Sequence, residues 1–158
     1  MPIWRKLLSG VKKVTPSTLG NIESMPNIKG LQLDYQEGVK TMTYYAYVHS
    51  STYGIWYSVQ ITFKNVERLD GLNEDEIMQG YQPRPSLIDN EIQVRCSCNS
   101  YRFRFDQANR RVKAGTGARF PMYVRRSNRK PNNPRMIPGA CKHVIELLDY
   151  LQKNNFIR

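Results

Sequence analysis

The sequence predicts an α+β protein in which an antiparallel β-sheet or meander is flanked by a C-terminal helix and by an N-terminal helix or extended arm. Apolar residues alternate with polar ones at period two beyond residue 30, whereas they recur at helical spacing near both termini. Tyrosines outnumber phenylalanines ten to five, which favours strands with one solvated face over a helical bundle. The 158 residues are enough for one ordinary domain with its own core.

The N-terminal segment 3–14 places apolar residues on one helical stripe, with bases on the opposite side. Three interpretations are open: a helix docked on its own domain, a helix for a partner's groove, and a basic helix at a membrane surface. Basic residues interrupt this apolar stretch, so it lacks the continuous apolar region of a signal peptide. No apolar run in the sequence reaches the roughly 18 residues of a membrane span. Prolines and glycines make 15–30 a loop, so we expect an arm over 1–30 and one β-rich domain over 31–158.

The period-two pattern predicts strands at 31–35, 42–48 and 55–63, with residues 50–54 as the turn of a hairpin. A fourth strand is predicted at 92–98.

One helix is predicted after the fourth strand, and at most one short helix before it. Residues 67–90 are acidic and rich in proline and glycine, and they allow at most a short helix near 73–78. The strongest helical pattern is at 139–154, where Val144, Leu147, Leu148 and Leu151 share one stripe.

All three cysteines and one of the two histidines fall in two tight pairs, Cys96-Ser97-Cys98 and Cys141-Lys142-His143. A disulfide would leave one cysteine unpaired, whereas one zinc ion uses three thiolates and one imidazole. Four protein ligands leave no position for water or substrate, which predicts a structural zinc. There is no Cys-x-x-Cys pair for redox chemistry, and no other catalytic constellation, so we expect no enzyme.

The predicted zinc would tie the end of a strand to the first turn of the C-terminal helix, across a long basic insertion at 99–140. The alternative is three buried cysteines and a helix histidine with no metal. The second histidine, His49, is best explained as a half-exposed strand residue.

The excess positive charge is concentrated between Arg102 and Arg135, where eleven of the 24 bases lie beside a single acid, Asp106. Such a segment can dock on acidic proteins. Alternatively, its basic side chains can neutralise the phosphates of a nucleic acid while its aromatic residues stack on the nucleobases. Its alternating aromatic residues are also consistent with the buried face of a strand, and the sequence leaves open whether residues 102–105 continue a strand or begin a helix. The candidate partner- or nucleic-acid-binding residues are Arg102, Arg104, Arg110, Arg111, Lys113, Arg119, Arg125, Arg126, Arg129, Lys130 and Arg135.

The pattern Cys96-x-Cys98, spacer, Cys141-x-His143 entering a helix resembles the SWIM zinc finger, position for position. The resemblance implies one structural zinc, and a role in DNA binding or in protein contacts. The spacer is longer and more basic than is usual in that family.

A second resemblance is to small virion proteins of tailed bacteriophages. They carry a similar Cys-Ser-Cys stretch followed by the aromatic and arginine alternation of 101–105, and later Ile-Pro-Gly before Cys-Lys-His. It implies a structural component of the tail, the baseplate or the connector region, made in the host cytoplasm and located in the virion. The partners it implies are other virion proteins, in multiple copies within a symmetric assembly, and nucleic acid is the alternative partner.

Overall fold

The computed structural model describes residues 3–23, 25–67, 83–121 and 132–158. Within these ranges, helices flank a four-stranded sheet, and the predicted α+β class is confirmed. The predicted short helix at 73–78 lies outside the described residues. The strands are β1 (Ile28–Gln36), β2 (Thr41–Ser50), β3 (Ile55–Phe63) and β4 (Ile92–Cys96), and the helices are α1 (Trp4–Val14), a 3₁₀ helix (Pro16–Asn21), α2 (Asn99–Arg104), α3 (Asp106–Arg111) and α4 (Lys142–Lys153).

The sheet is an antiparallel meander in which each strand pairs with the next one along the chain. Tyr44 lies opposite Ile61, and Ile61 lies opposite Val94, so one row of buried side chains crosses three strands. Because side chains alternate between the two faces of a strand, the period-two pattern directs one set of residues to the core.

The core lies between one face of the sheet and the helices. Val144, Leu147, Leu148 and Leu151 of α4 are all buried, which is the stripe predicted from the sequence. Each fully buried aliphatic side chain of this kind contributes about 1.5–3 kcal/mol. Among the described residues, no helix packs on the opposite face of the sheet, which carries exposed aromatic side chains.

Helix α1 packs on the same core, since Leu7 and Val11 are completely buried. Gly10 allows this helix to approach the backbone at Pro138 closely, because a Cβ atom at Gly10 would overlap the carbonyl oxygen of Pro138. Of the three interpretations of the N-terminal segment, the structure therefore matches the docked helix. Within the described ranges, no helix combines the length and apolar character that a membrane span requires.

The segment after β4 is helical, so of the two alternatives that the sequence leaves open for residues 102–105, a continued strand and a helix, the structure has the helix. Tyr101 and Phe105 are four residues apart, a spacing that puts both on the buried face of the α2–α3 segment, whereas Phe103 is 39% exposed. The strand itself ends at Cys96, two residues earlier than predicted, and α2 begins at Asn99.

Candidate metal centre

The four predicted ligands come from three places that the fold brings together. Cys96 is the last residue of β4, and Cys98 is the N-cap of α2. Cys141 is the N-cap of α4, and His143 lies in the first turn of that helix. All four residues are buried, and their ligand atoms lie within 4.8 Å of one another. This cluster could hold one metal ion.

The spacing of the donor atoms fits tetrahedral coordination. The Nδ1 atom of His143 lies 3.8 Å from the Sγ atom of Cys96 and 4.0 Å from the Sγ atom of Cys141. Sulfur and nitrogen ligands at about 2.3 and 2.0 Å from one tetrahedral ion would lie about 3.5 Å apart. Only a small contraction would therefore bring these side chains onto a common ion.

Two backbone features hold the first pair of ligands. Ser97 extends the pairing of β4 beyond its end, because its N–H donates to the carbonyl of Ser58 and its Oγ accepts from the N–H of Ser58, both at 3.0 Å. The chain then turns so that the Sγ atom of Cys98 accepts from the N–H of Tyr101 at 3.4 Å. A partly negative sulfur at a helix N-terminus is favoured by the free N–H groups there.

The environment of the thiols favours a cation. Burial raises the pKa of Cys96 and Cys141, whereas hydrogen bonds from the neighbouring Cys141 and Cys96 thiols lower the pKa of Cys98. The opposite directions of these pKa shifts reflect hydrogen bonding among three buried thiols. A divalent ion would offset two of the three thiolate charges and leave a formal charge of −1, because each coordinating thiol loses its proton.

The surroundings of the cluster are well packed. The ring of Tyr57 lies 4.9 Å from the ring of His143. Tyr101 is buried beside the cluster, and its hydroxyl donates to the carbonyl of Val94 at 2.7 Å. These contacts fix the orientation of the imidazole and the position of α2, as contacts around metal ligands commonly do.

Glu146 introduces a buried carboxyl group one turn beyond His143. Its Oε1 atom accepts from the N–H of Glu23 at 3.2 Å and lies 3.8 Å from the Nζ atom of Lys142. Its Oε2 atom has no hydrogen-bond partner. Burial raises the pKa of this carboxyl group, which Lys142 partly counteracts. The burial of Glu146 could not be predicted from the sequence, because a glutamate at this position of an amphipathic helix is ordinarily solvated.

The basic candidates are distributed over a folded surface. Arg102 and Arg104 lie on α2, and Arg110 is held between Asp106 and the backbone carbonyls of residues 116–118. The other described bases of this set are exposed: Arg111, Lys113, Arg119 and Arg135. Four further members lie outside the described residues: Arg125, Arg126, Arg129 and Lys130.

Several of these bases border one cavity. It has a volume of about 410 Å³ and lies beside α2 and α3. Its arginines outnumber its carboxylates by four to one, the carboxylate being Asp106. The cavity is lined in part by Arg102, Arg110, Arg111, Arg119 and Phe120.

His49 does not belong to the metal cluster. It is half-buried on β2, and its ring lies 5.0 Å from the ring of Trp56 across the pair of strands. This position agrees with its interpretation as a strand residue.

No protein-family model, curated protein or solved structure matches this chain. The candidate metal centre is therefore defined by its residue types, burial and geometry alone.

Proposed function

We propose that the cluster binds one zinc ion as a structural centre of the SWIM type. The observation that carries this proposal is the enclosure of three thiols and one imidazole within 4.8 Å, at the junction of β4, α2 and α4. Zinc prefers such a set of soft ligands in tetrahedral geometry. Because four protein ligands fill the coordination sphere, the ion would support the fold and would not bind a substrate.

Cobalt substitution tests the coordination directly, since tetrahedral Co²⁺ bound by thiolates has intense visible absorption. We expect one equivalent of Co²⁺ to saturate this signal, and zinc to displace it. His143→Gln should alter the spectrum and weaken binding by about 10-fold or more, and His49→Gln provides the matched control. Equal spectra for His143→Gln and the unsubstituted protein would contradict the ligand assignment.

We further propose that the protein is a structural virion component of a tailed bacteriophage, in the tail, baseplate or connector region, and that the zinc-supported domain mediates protein–protein assembly. The resemblance to small virion proteins of tailed bacteriophages, which covers roughly residues 92–151, supports a location in the virion. The described part of the basic segment supports an assembly role, because α2 and α3 present basic side chains on a helical surface to acidic neighbours.

Analysis of purified phage particles tests this role. We expect the protein at a fixed copy number per particle, and we expect it to remain after washing with concentrated salt and after nuclease treatment. Absence from the particles, or a gene located outside any phage genome, would contradict the proposal.

Nucleic-acid binding is the second candidate function, and the arginine-lined cavity beside α2 and α3 is the observation that favours it. An excess of arginine in a concave site suits phosphate groups. Release of the protein from particles by nuclease or by salt would favour this candidate over protein–protein assembly.

A further inference from the structure

The face of the sheet that does not pack against the helices carries an unusual set of side chains. Tyr45, Tyr47 and Trp56 are 38%, 48% and 36% exposed, and the strand register places all three on this face. A solvated sheet face normally carries polar residues. Three neighbouring aromatic rings therefore call for a functional explanation.

A shallow groove of about 330 Å³ crosses this face and is lined by residues of all four strands. Ser58 and Gln60 of β3 contribute hydrogen-bonding groups between the two tyrosines of β2 and Arg95 of β4, and Gln32 of β1 contributes another on the other side of the tyrosines. The groove thus combines flat apolar surfaces with donors and acceptors, which is the composition of a site for a planar polar ligand.

The backbone at Gly30 makes room for one of these rings. Gly30 has a φ of +65° at the irregularity in β1, and a Cβ atom there would lie 3.2 Å from the Cδ2 atom of Tyr47. The Tyr47 ring therefore lies over the backbone of the neighbouring strand.

Positive charge borders the aromatic residues at both ends. The Nζ atom of Lys29 lies 4.2 Å from the ring centre of Trp56. The guanidinium of Arg95 lies 4.0 Å from the ring centre of Phe120, which itself lines the arginine-rich cavity. Among the strand residues of this face, the only carboxylate is that of Asp34.

We propose that the open sheet face binds single-stranded nucleic acid, with unpaired bases stacked on Tyr45, Tyr47 and Trp56. The sugar-phosphate backbone of the bound strand continues past Arg95 towards the arginine-lined cavity. This inference rests on the second candidate function and assigns it a separate surface and a substrate class. Aromatic platforms beside a basic groove are the general means by which proteins hold single strands.

The same features disfavour other occupants. In a duplex, the faces of the bases are covered by neighbouring base pairs and cannot stack on a flat sheet. An acidic peptide would contact the basic side chains but not the aromatic rings. A neutral glycan would contact the aromatic rings but not the charged side chains.

The test is the affinity of the full-length, zinc-loaded protein for a fluorescein-labelled oligothymidylate, measured by anisotropy. The double variant Tyr45→Ala/Tyr47→Ala should weaken binding by roughly 10-fold or more. The matched control is Tyr53→Ala, which removes a 72% exposed tyrosine from the β2–β3 turn and should leave the affinity unchanged. A duplex of the same length and a polyglutamate peptide should both bind more weakly than the single strand.

Tryptophan fluorescence provides a second measurement that does not depend on the double variant folding. The chain has two tryptophans, so a Trp4→Phe variant reports on Trp56 alone. We expect the oligonucleotide to quench this emission.

Three results would overturn the inference: no binding of the single strand, equal affinity for polyglutamate, or unchanged affinity in the double variant together with unquenched Trp56. In the last case, loss of binding in Arg111→Glu/Arg119→Glu would show that nucleic acid binds at the cavity instead. The second candidate function would then survive without this surface.

Discussion

Asn109 and Gly139 form a pair of buried hydrogen bonds across 30 residues of chain. The Nδ2 atom of Asn109 donates to the carbonyl of Gly139 at 2.8 Å, and its Oδ1 atom accepts from the N–H of Gly139 at 2.9 Å. The same amide also donates to the hydroxyl of Tyr101 at 3.2 Å. One side chain thus connects α3 to the backbone two residues before Cys141, and fixes the approach of the second ligand pair to the first.

Replacement of Asn109 by alanine should destabilise the protein strongly. It would leave the buried N–H and C=O groups of Gly139 without partners, at a cost of about 1–3 kcal/mol for each group. We expect the free energy of unfolding to fall by about 2–5 kcal/mol in urea denaturation of the zinc-loaded protein.

The control for this variant is Asn154→Ala, which removes an exposed asparagine that donates to the carbonyl of Tyr150. We expect its effect to stay within about 0.5 kcal/mol. Similar losses in the two variants would mean that the connection between Asn109 and Gly139 contributes little.

Replacement of Gly10 by alanine should destabilise the protein, although alanine is the better helix former by about 1 kcal/mol. The new Cβ atom would overlap the carbonyl oxygen of Pro138, so α1 would have to move away from the core. We expect a net loss of about 1–3 kcal/mol, measured by thermal unfolding. Gly20→Ala is the control, because no atom lies within 4 Å of its added Cβ. A stabilised Gly10→Ala variant would contradict the docking of α1.

Glu146 should make stability depend on pH. Burial raises the pKa of its carboxyl group, so the folded state binds this proton more tightly than the unfolded state does. Its contribution to the free energy of unfolding is therefore greatest below the unfolded pKa of about 4.3 and declines as the pH rises through the folded pKa. In Glu146→Gln this decline is absent, so the stability of the variant relative to the unsubstituted protein should improve as the pH rises above the unfolded pKa of about 4.3.

The control for the pH experiment is Asp89→Asn, which removes an exposed carboxylate before the start of β4, whereas the ligand Cys96 is at the end of that strand. Both variants are compared with zinc in excess, so that loss of metal at the acid end affects all three proteins alike. A pH profile for Glu146→Gln that runs parallel to that of the unsubstituted protein would refute the effect.

Periodicity predicted the elements whose residues have one buried side. The alternation in β2 and β3 and the stripe of α4 led to the correct faces, because burial of one face forces the pattern into the sequence. The pairing of Cys96-x-Cys98 with Cys141-x-His143 predicted the cluster, since tight spacing limits how ligands can converge.

The α2–α3 segment was harder to predict. Tyr101, Phe103 and Phe105 together satisfy period two, whereas Tyr101 and Phe105 alone satisfy a helical spacing, and only tertiary packing decides between the two patterns. Asn109 carried no signal, because its role depends on Gly139, a residue distant in sequence. The open sheet face was equally hidden, since period two identifies the two sides of a strand but not which side remains uncovered.

The central claim is that Cys96, Cys98, Cys141 and His143 hold one structural zinc ion. It is tested most directly by elemental analysis of the purified protein and of Cys98→Ser, with thermal unfolding before and after a chelator. We predict one zinc per chain, its loss in the variant, and a fall in melting temperature of roughly 10 °C or more when the metal is removed. A metal-free protein whose unfolding is unchanged by the chelator and by Cys98→Ser would contradict the account.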